Sequence, residues 1–405
     1  GNRAVESHPA IFALHRCWSA SAVRNCIRID RGQAVDAEAL GRLPAETTER
    51  VKATGVIRLL QPPEHGGYAA DPTDFMEAVM ALANADAAVG WVAGVIGVHP
   101  WEMAFNDARV LEEGWGQDAD TWVASPYAPN GIASPADGGF IFNGNWEFSS
   151  GTDSCDWIVL GGLVKGEGLV DGIPQMYHFL LPRSDYEIVE DSWNVLGLRG
   201  TGSKDIIVSD AFVPDYRVLN ATKVFDGTAA LEAGRDEALY RMPWSAIFPV
   251  ALSASVVGIC EGALACHFQH QATRTSMLGP MSKNPYLSSR VGEAASEIHA
   301  SRSQLLYNVS NMYALAQKGT EIPLEMRVAS RRDQVRAARR AVEALDDIYI
   351  RSGGGATRDE HPLGKWFRDA HTAINHTIFA ADDMYHAYAA MMMGQPPTGF
   401  TRLLV

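Results

Sequence analysis

Asn194-Val-Leu-Gly197-Leu-Arg199-Gly200-Thr201-Gly202-Ser203-Lys-Asp-Ile-Ile-Val208 follows Gly144-Asn-Trp146-Glu-Phe148-Ser149-Ser150-Gly151 by fifty residues, and this pair decides the fold. In each stretch, glycines and hydroxyl residues break an apolar run where a strand gives way to a turn. Ser-Ser-Gly is good turn chemistry at a strand end, because serine hydroxyls bond the local backbone and glycine accepts positive φ. Ile206-Ile-Val-Ser-Asp-Ala-Phe-Val-Pro then reads as a strand. Arg199, Thr201 and Ser203 stand between the glycines, where their polar groups either order the turn or hold a ligand.

Working outward, Gly139-Phe-Ile-Phe-Asn-Gly, Trp157-Ile-Val-Leu and Tyr177-His-Phe-Leu-Leu-Pro have the same short-strand texture, and predict a small antiparallel β domain over residues 122–232. Upstream, Leu40, Leu43 and Val51 recur at helical spacing, and Asp74-Phe-Met-Glu-Ala-Val-Met-Ala-Leu-Ala-Asn-Ala runs on without a breaker. Residues 1–121 are therefore expected to form a helical domain. Downstream, residues 220–237 read as a polar, mobile connection, and residues 233–405 as a helical bundle. Pro323 suits the first turn of a helix striped by Val328, Val335, Val342, Leu345 and Tyr349, which Gly353-Gly354-Gly355 stops. Ala251, Ala254, Gly258 and Gly262 would let helices approach closely.

Composition excludes several function classes. With 405 residues, 47% hydrophobic and 20% charged, the chain can bury a large core in two or three domains. A net charge of -14 and the lack of any basic run argue against nucleic acid as a partner. The five cysteines, Cys17, Cys26, Cys155, Cys260 and Cys266, show neither CxxC nor Cys/His spacing, so no disulfide framework or metal site is expected, and a reducing cytoplasm is the natural compartment. No membrane span is expected, since Pro249 and serines interrupt the apolar segment 247–259. No GxGxxG follows a strand, so electrons from NAD(P)H would arrive through another protein.

Helical, then β, then bundle is the order of the acyl-CoA dehydrogenase superfamily, and the two opening stretches resemble its flavin-facing loops. The fold class expected is α+β: an N-terminal helical domain, a central antiparallel β domain and a C-terminal four-helix bundle. In the dehydrogenases a glutamate after Arg-Asp-Ala takes the substrate α-proton. Here Arg368-Asp-Ala-His371-Thr-Ala-Ile-Asn-His376-Thr377 puts Thr377 at that place, and threonine is no such base. His376 instead resembles the histidine of the flavin-dependent aromatic hydroxylases of this fold, the oxygenase components of two-component monooxygenases. Gly90-Trp91-Val, Gly97-Val-His99, Ser125-Pro-Tyr127-Ala-Pro129, Arg332-Asp-Gln-Val-Arg336 and Arg368-Asp-Ala-His371 are similar to the branch that turns secosteroid phenols into catechols. Where that branch has an aspartate four residues after the histidine, this chain has Ala380.

The resemblance implies ortho hydroxylation of a phenolic substrate by reduced FMN, or FAD, and O2 through a C4a-hydroperoxide. It also implies a homotetramer served by a separate NAD(P)H-dependent flavin reductase. Such an intermediate needs a dry site with polar groups near the flavin N5 and the distal oxygen. Ser150 would lie near N5 and His99 near the peroxide, with Trp91, Ser125, Tyr127, Ser149, Arg199, Thr201 and Ser203 around the flavin. Arg274 would meet the cofactor phosphates, with Gly353 and Gly354 arriving from a neighbouring subunit. His376, with an ordinary pKa of about 6.5, would be the base for a phenol of pKa about 10. Plainer readings stand beside these. His99 between Trp91 and Trp101 suits a hydrogen-bonded core histidine, Ser150 a turn, and His376 a helix cap, while His371 competes for the base role. An N- or S-oxygenase, an acyl-CoA dehydrogenase and a flavin-free ligand-binding relative are the alternative functions.

Overall fold

Asp71, Asp86 and Asp107 each start a helix by turning a carboxylate onto free backbone N–H groups, those of Thr73, of Ala88 and Val89, and of Arg109. The computed structural model describes residues 31–405 apart from residues 171 and 278; Cys17, Cys26 and the first part of the expected 1–121 domain lie outside the described residues. The N-terminal helices are α1 (Arg31–Leu40), α2 (Ala45–Thr54), α3 (Pro72–Ala85), α4 (Ala87–Ile96), α5 (His99–Met103) and α6 (Ala108–Trp115). All residues of α4 are buried, as its unbroken apolar sequence requires of a helix without a solvent face.

The strands are β1 (Val123–Ala124), β2 (Gly131–Ala136), β3 (Gly139–Ser149), β4 (Trp157–Val164), β5 (Leu169–Val170), β6 (Ile173–Pro174), β7 (Met176–Pro182), β8 (Glu187–Val189), β9 (Lys204–Pro214) and β10 (Val218–Asn220). Eight of them form one sheet in the order β10-β7-β4-β2-β3-β9-β8, with β1 beside β4. The sheet is mixed rather than wholly antiparallel, because β4 pairs in parallel with both β1 and β2. Strands β3 and β9 pair antiparallel with register shifts between Phe142 and Gly144 and between Trp146 and Ser149, the second at the very end of β3. Such shifts re-aim a strand's last side chains.

The connection expected to be mobile is instead folded. Residues Ala221–Asp226 (α7) and Thr228–Glu232 (α8) are helical, and Ala221, Val224, Phe225, Ala229 and Ala230 are buried. The polar residues that suggested a loop lie on the outer face of a segment whose apolar minority anchors it. The long helices follow: α9 (Phe248–Thr273), α10 (Pro285–Gln317), α11 (Leu324–Ile350), α12 (Pro362–Ile374), α13 (Ala381–Met392) and α14 (Gly399–Leu403). Pro249 does not interrupt the apolar segment, because it sits in the first turn of α9, where no N–H is missed, and Ser253 and Ser255 spend their hydroxyls on carbonyls four residues back. Among the described residues this is the one helix long and apolar enough to cross a membrane, and it is buried inside the fold. It packs on α3, α4, α11 and α12. A Cβ at Gly258 would lie 2.5 Å from the Met80 carbonyl oxygen, so the close helix approach read from the small residues is present. Pro323 caps α11 rather than entering its first turn.

Candidate active site

Leu198 adopts a left-handed backbone (φ 55°) and Phe148 does the same (φ 67°), so both opening stretches carry strain that an L-residue rarely accepts. The Leu198 strain is held from the bundle. Its N–H donates to Asp369 Oδ1 (2.6 Å) on α12, Lys365 Nζ donates to Asp369 Oδ2 (2.6 Å), and a Cβ at Gly197 would fall 2.2 Å from the Arg368 carbonyl oxygen. The glycines of the motif therefore serve close contact: Gly200 packs on Ala37 and Ala88, and Gly202 on Asp153.

The hydroxyls of the two stretches form one chain. Thr201 Oγ1 donates to the Leu198 carbonyl (2.8 Å), Thr201 and Ser203 hydroxyls are 2.6 Å apart, Ser203 and Ser150 hydroxyls are 2.7 Å apart, and the Trp91 indole N–H donates to Ser150 Oγ (3.2 Å). Each hydroxyl has one proton. Because a carbonyl only accepts, Thr201 has spent its proton, Ser203 must donate to Thr201, and Ser150 must donate to Ser203. Ser150 Oγ thus presents a spare lone pair and no proton. Beside it, Ser149 Oγ is buried without a partner, while the Phe148 ring is 63% exposed. An exposed ring next to a fixed hydroxyl acceptor suits a flat heterocycle that bears an N–H.

His99, fully buried, donates from Nδ1 to the Val123 carbonyl and accepts the Ser125 hydroxyl at Nε2 (2.6 Å). Burial pushes its pKa down to about 4, so the ring is neutral at pH 7. The one proton on the neutral ring is thus given to the backbone. Tyr127 lies edge-on to His99 at 5.7 Å.

His376 comes within 6.0 Å of the Trp91 ring, so it joins the Trp91–Ser150 group. Its Nδ1 accepts the Ile378 N–H (3.2 Å) as the cap of a short turn, which leaves the neutral ring's proton on Nε2. Burial pushes its pKa down to about 4. The capped ring therefore offers Nε2–H, and not Nδ1, to a group beside Trp91. His371 is not brought there. Its Nδ1 donates to the Phe367 carbonyl, and Nε2 meets Asp346 at 3.1 Å, which raises its pKa.

Arg199 turns to a solvent-open groove shared with Glu38, Arg42 and Glu190, its Nε donating to the Val195 carbonyl (2.8 Å). Arg274 and Gly353 do meet, for a Cβ at Gly353 would be 2.2 Å from the guanidinium, and Arg274 Nη1 donates to the Arg351 carbonyl (3.1 Å). They and Gly354 form a separate place at the end of α9. Asp369 was visible in the sequence only as part of a motif, and the buried pair of Glu102 and His178 gave no signal, since 76 residues separate its members.

Residues 250–381 match the family model described as "Acyl-CoA dehydrogenase, C-terminal domain". The chain is 46% identical to the "Pigment production hydroxylase" of Rhodococcus erythropolis over 92% of this chain and 95% of that protein. It is 32% identical to the "FADH(2)-dependent resorcinol hydroxylase, oxygenase component" of Rhizobium sp. over 91% of this chain and 92% of that one. Among solved structures, the 3-HSA hydroxylase from Rhodococcus sp. RHA1 superposes with a TM-score of 0.87 at 39% identity, covering 94% of this chain and 98% of its own. The HsaA monooxygenase from M. tuberculosis does so with the same score at 40% identity, over the same shares.

Proposed function

Because the chain belongs to the family of flavin-dependent monooxygenase oxygenase components built on the acyl-CoA dehydrogenase fold, we propose that it hydroxylates a phenolic aromatic ortho to its hydroxyl. The observation that carries this reading is the one-way hydroxyl chain ending at Ser150, with Trp91 and the Nε2–H of His376 beside it. Reduced flavin, when bound, supplies the electrons by which dioxygen gives one atom to the ring and one to water. In this reading Ser150 would accept the N5–H of a bound flavin, Phe148 and Trp91 would flank its ring system, and buried α4 and α5 would exclude water. His376 Nε2–H would donate to the phenol oxygen and stabilise the negative charge that develops on it as the ring attacks.

The printed names of relatives, a resorcinol hydroxylase and several oxygenase subunits, support a phenolic substrate and a separate reductase. NAD(P)H as that reductase's electron source, FMN as the preferred flavin, and a homotetramer whose neighbour brings Gly353 and Gly354 to the nucleotide are parts of the same proposal. So is a reducing cytoplasm, which suits the buried cysteines Cys155 and Cys260. Against the dehydrogenase alternative, Thr377 holds the place of its base.

The test is a single-turnover assay with photoreduced FMN, oxygen and a panel of phenols, with FADH2 as a second arm. Catechol-type products are expected. His376→Ala should slow hydroxylation about 10²-fold, the usual cost of losing a donor to developing negative charge. Oxidation only of amines or sulfides, or dehydrogenation of an acyl-CoA, would overturn the reading.

A further inference from the structure

Four carbonyls follow one another along the short turn that His376 caps. Those of His376 and Thr377 accept the Phe379 and Ala380 N–H groups (both 3.0 Å), so the turn spends its first two on itself. The next two are held from α11. Arg331 Nη2 donates to the Ile378 carbonyl (3.0 Å), and Arg339, two turns further along the helix, donates to the Phe379 carbonyl from Nη2 (3.1 Å) and Nε (3.3 Å).

Arg331 is buried, yet among the described residues no acid pairs with it. Asp333, the acid nearest to it in the chain, is taken by Arg332 (2.7 Å) and Asn308 (2.9 Å). Burial pushes the Arg331 pKa down to about 10, which still leaves a full charge at neutral pH. A buried guanidinium without a counter-charge costs free energy, and an apolar side chain of similar length would fill the same space without that cost. What only arginine brings is a rigid fork of donors. One arm runs to Ile378; the other, Nη1, donates to Gln334 Oε1 (2.8 Å), and the Gln334 amide in turn donates to the Ser245 carbonyl (2.9 Å). The fork is thus braced on one side and holds the turn on the other.

We propose that Arg331, with Arg339 behind it, is a positioning residue for His376, and that the two arginines fix the direction in which the Nε2–H of that ring points. Ile378 is the link. Its N–H is the group that His376 Nδ1 accepts, and its carbonyl is the group that Arg331 holds, so a turn free to rotate at Ile378 would carry the ring with it. Trp91 (6.0 Å) and Phe379 (6.5 Å) lie against the ring without bonding it, the Trp91 N–H being given to Ser150. The inference rests on the hydroxylase reading above, in which the Nε2–H meets the phenol oxygen.

The test is a double-variant cycle on the full chain, read first as the rate of phenol hydroxylation in single turnover with photoreduced FMN. His376→Ala sets the limit at about 10²-fold, and Arg331→Met should cost between about tenfold and that limit, because a positioning residue cannot lose more than the group it positions. Added to His376→Ala, it should cost less than about twofold more. A merely structural role would multiply the two losses, which would overturn the proposal. Arg339 is exposed, so Arg339→Met keeps the fold and carries the same cycle if Arg331→Met does not fold. The second reading is calorimetric binding of 4-nitrophenol, which needs no turnover. His376→Ala, Arg331→Met and the double variant should each weaken it by the same factor, about fivefold, the worth of one hydrogen bond. Such coupling with no hydroxylation of any phenol by the wild type leaves the positioning standing and overturns the hydroxylase reading. Hydroxylation with multiplied losses does the reverse. A chain that neither binds nor hydroxylates a phenol overturns both.

Discussion

The seam around Gly258 and the loops around Gly151 and Gly202 both depend on glycine, for opposite reasons. In the seam the backbone is regular helix, and the missing Cβ only lets α9 lie against the carbonyl of Met80. In the loops the backbone is left-handed at Gly151 and Gly202, and at Phe148 and Leu198, which have no such freedom. The seam contributes stability by proximity, while the loops consume it to hold four polar residues in a line. Stability and chemistry are thus lodged in different parts of the chain.

The largest expected effect breaks the seam. Gly258→Val drives branched methyls into the Met80 backbone and should cost about 3 kcal/mol in urea unfolding, at the upper end of overpacked cores. Any activity loss should track the folded fraction. A variant that unfolds like wild type would show that the helices separate freely.

Next comes the hydroxyl chain. Thr201→Val removes the group that fixes the chain's direction, freeing Ser203 to donate to Ser150. Anaerobic titration should show reduced-flavin affinity falling about tenfold, the worth of one hydrogen bond near a charge, with a smaller change for oxidised flavin. Equal losses for both redox states would refute the one-way assignment.

A pH experiment sharpens the buried side of the comparison. The folded pKa of His99 is about 4 against an ordinary 6.5, so the unfolded chain binds its proton first. The stability tied to neutral His99 is complete above about pH 6.5 and is lost as pH falls toward 4. His99→Gln, which can still donate to Val123 and accept from Ser125, should flatten that decline by at most about 1.4 kcal/mol per pH unit, one proton's worth. Parallel stability curves for the two proteins would show that His99 does not titrate on unfolding.

The smallest effect is expected at Phe148. Phe148→Gly relieves a left-handed φ at an exposed position and should raise stability by up to about 1 kcal/mol while weakening flavin binding. A destabilised variant would mean that the exposed ring already contributes to folding.

These contrasts also explain what the sequence could convey. The strands at Gly139, Trp157, Tyr177 and Ile206 were legible because alternation and turn residues are local signals. The stripe from Val328 to Leu345 was legible for the same reason. The segment after Asn220 misled because its polar residues outnumber the few apolar ones that anchor α7 and α8, and burial depends on where those few point. At the site, Ser150, Trp91 and His376 are indeed neighbours, but their proton positions follow from tertiary partners: the Leu198 carbonyl, Ser203 and the Ile378 amide. The Glu102–His178 pair joins a five-residue helix to a strand, and neither residue alone differs from an ordinary surface charge in the sequence.

The clasp between Leu198 and Asp369 gives the molecule a common datum. One carboxylate on α12 sets where the flavin-side loop lies, and the same helix, five residues on, ends at Ile374 and hands over to His376. The two halves of the proposed site are thus gauged from one rigid rod, however the domains shift around it. Substitutions in the turn from Thr377 to Ala380 lie beyond the datum and can re-cut the substrate side without disturbing the mark from which the other side is measured.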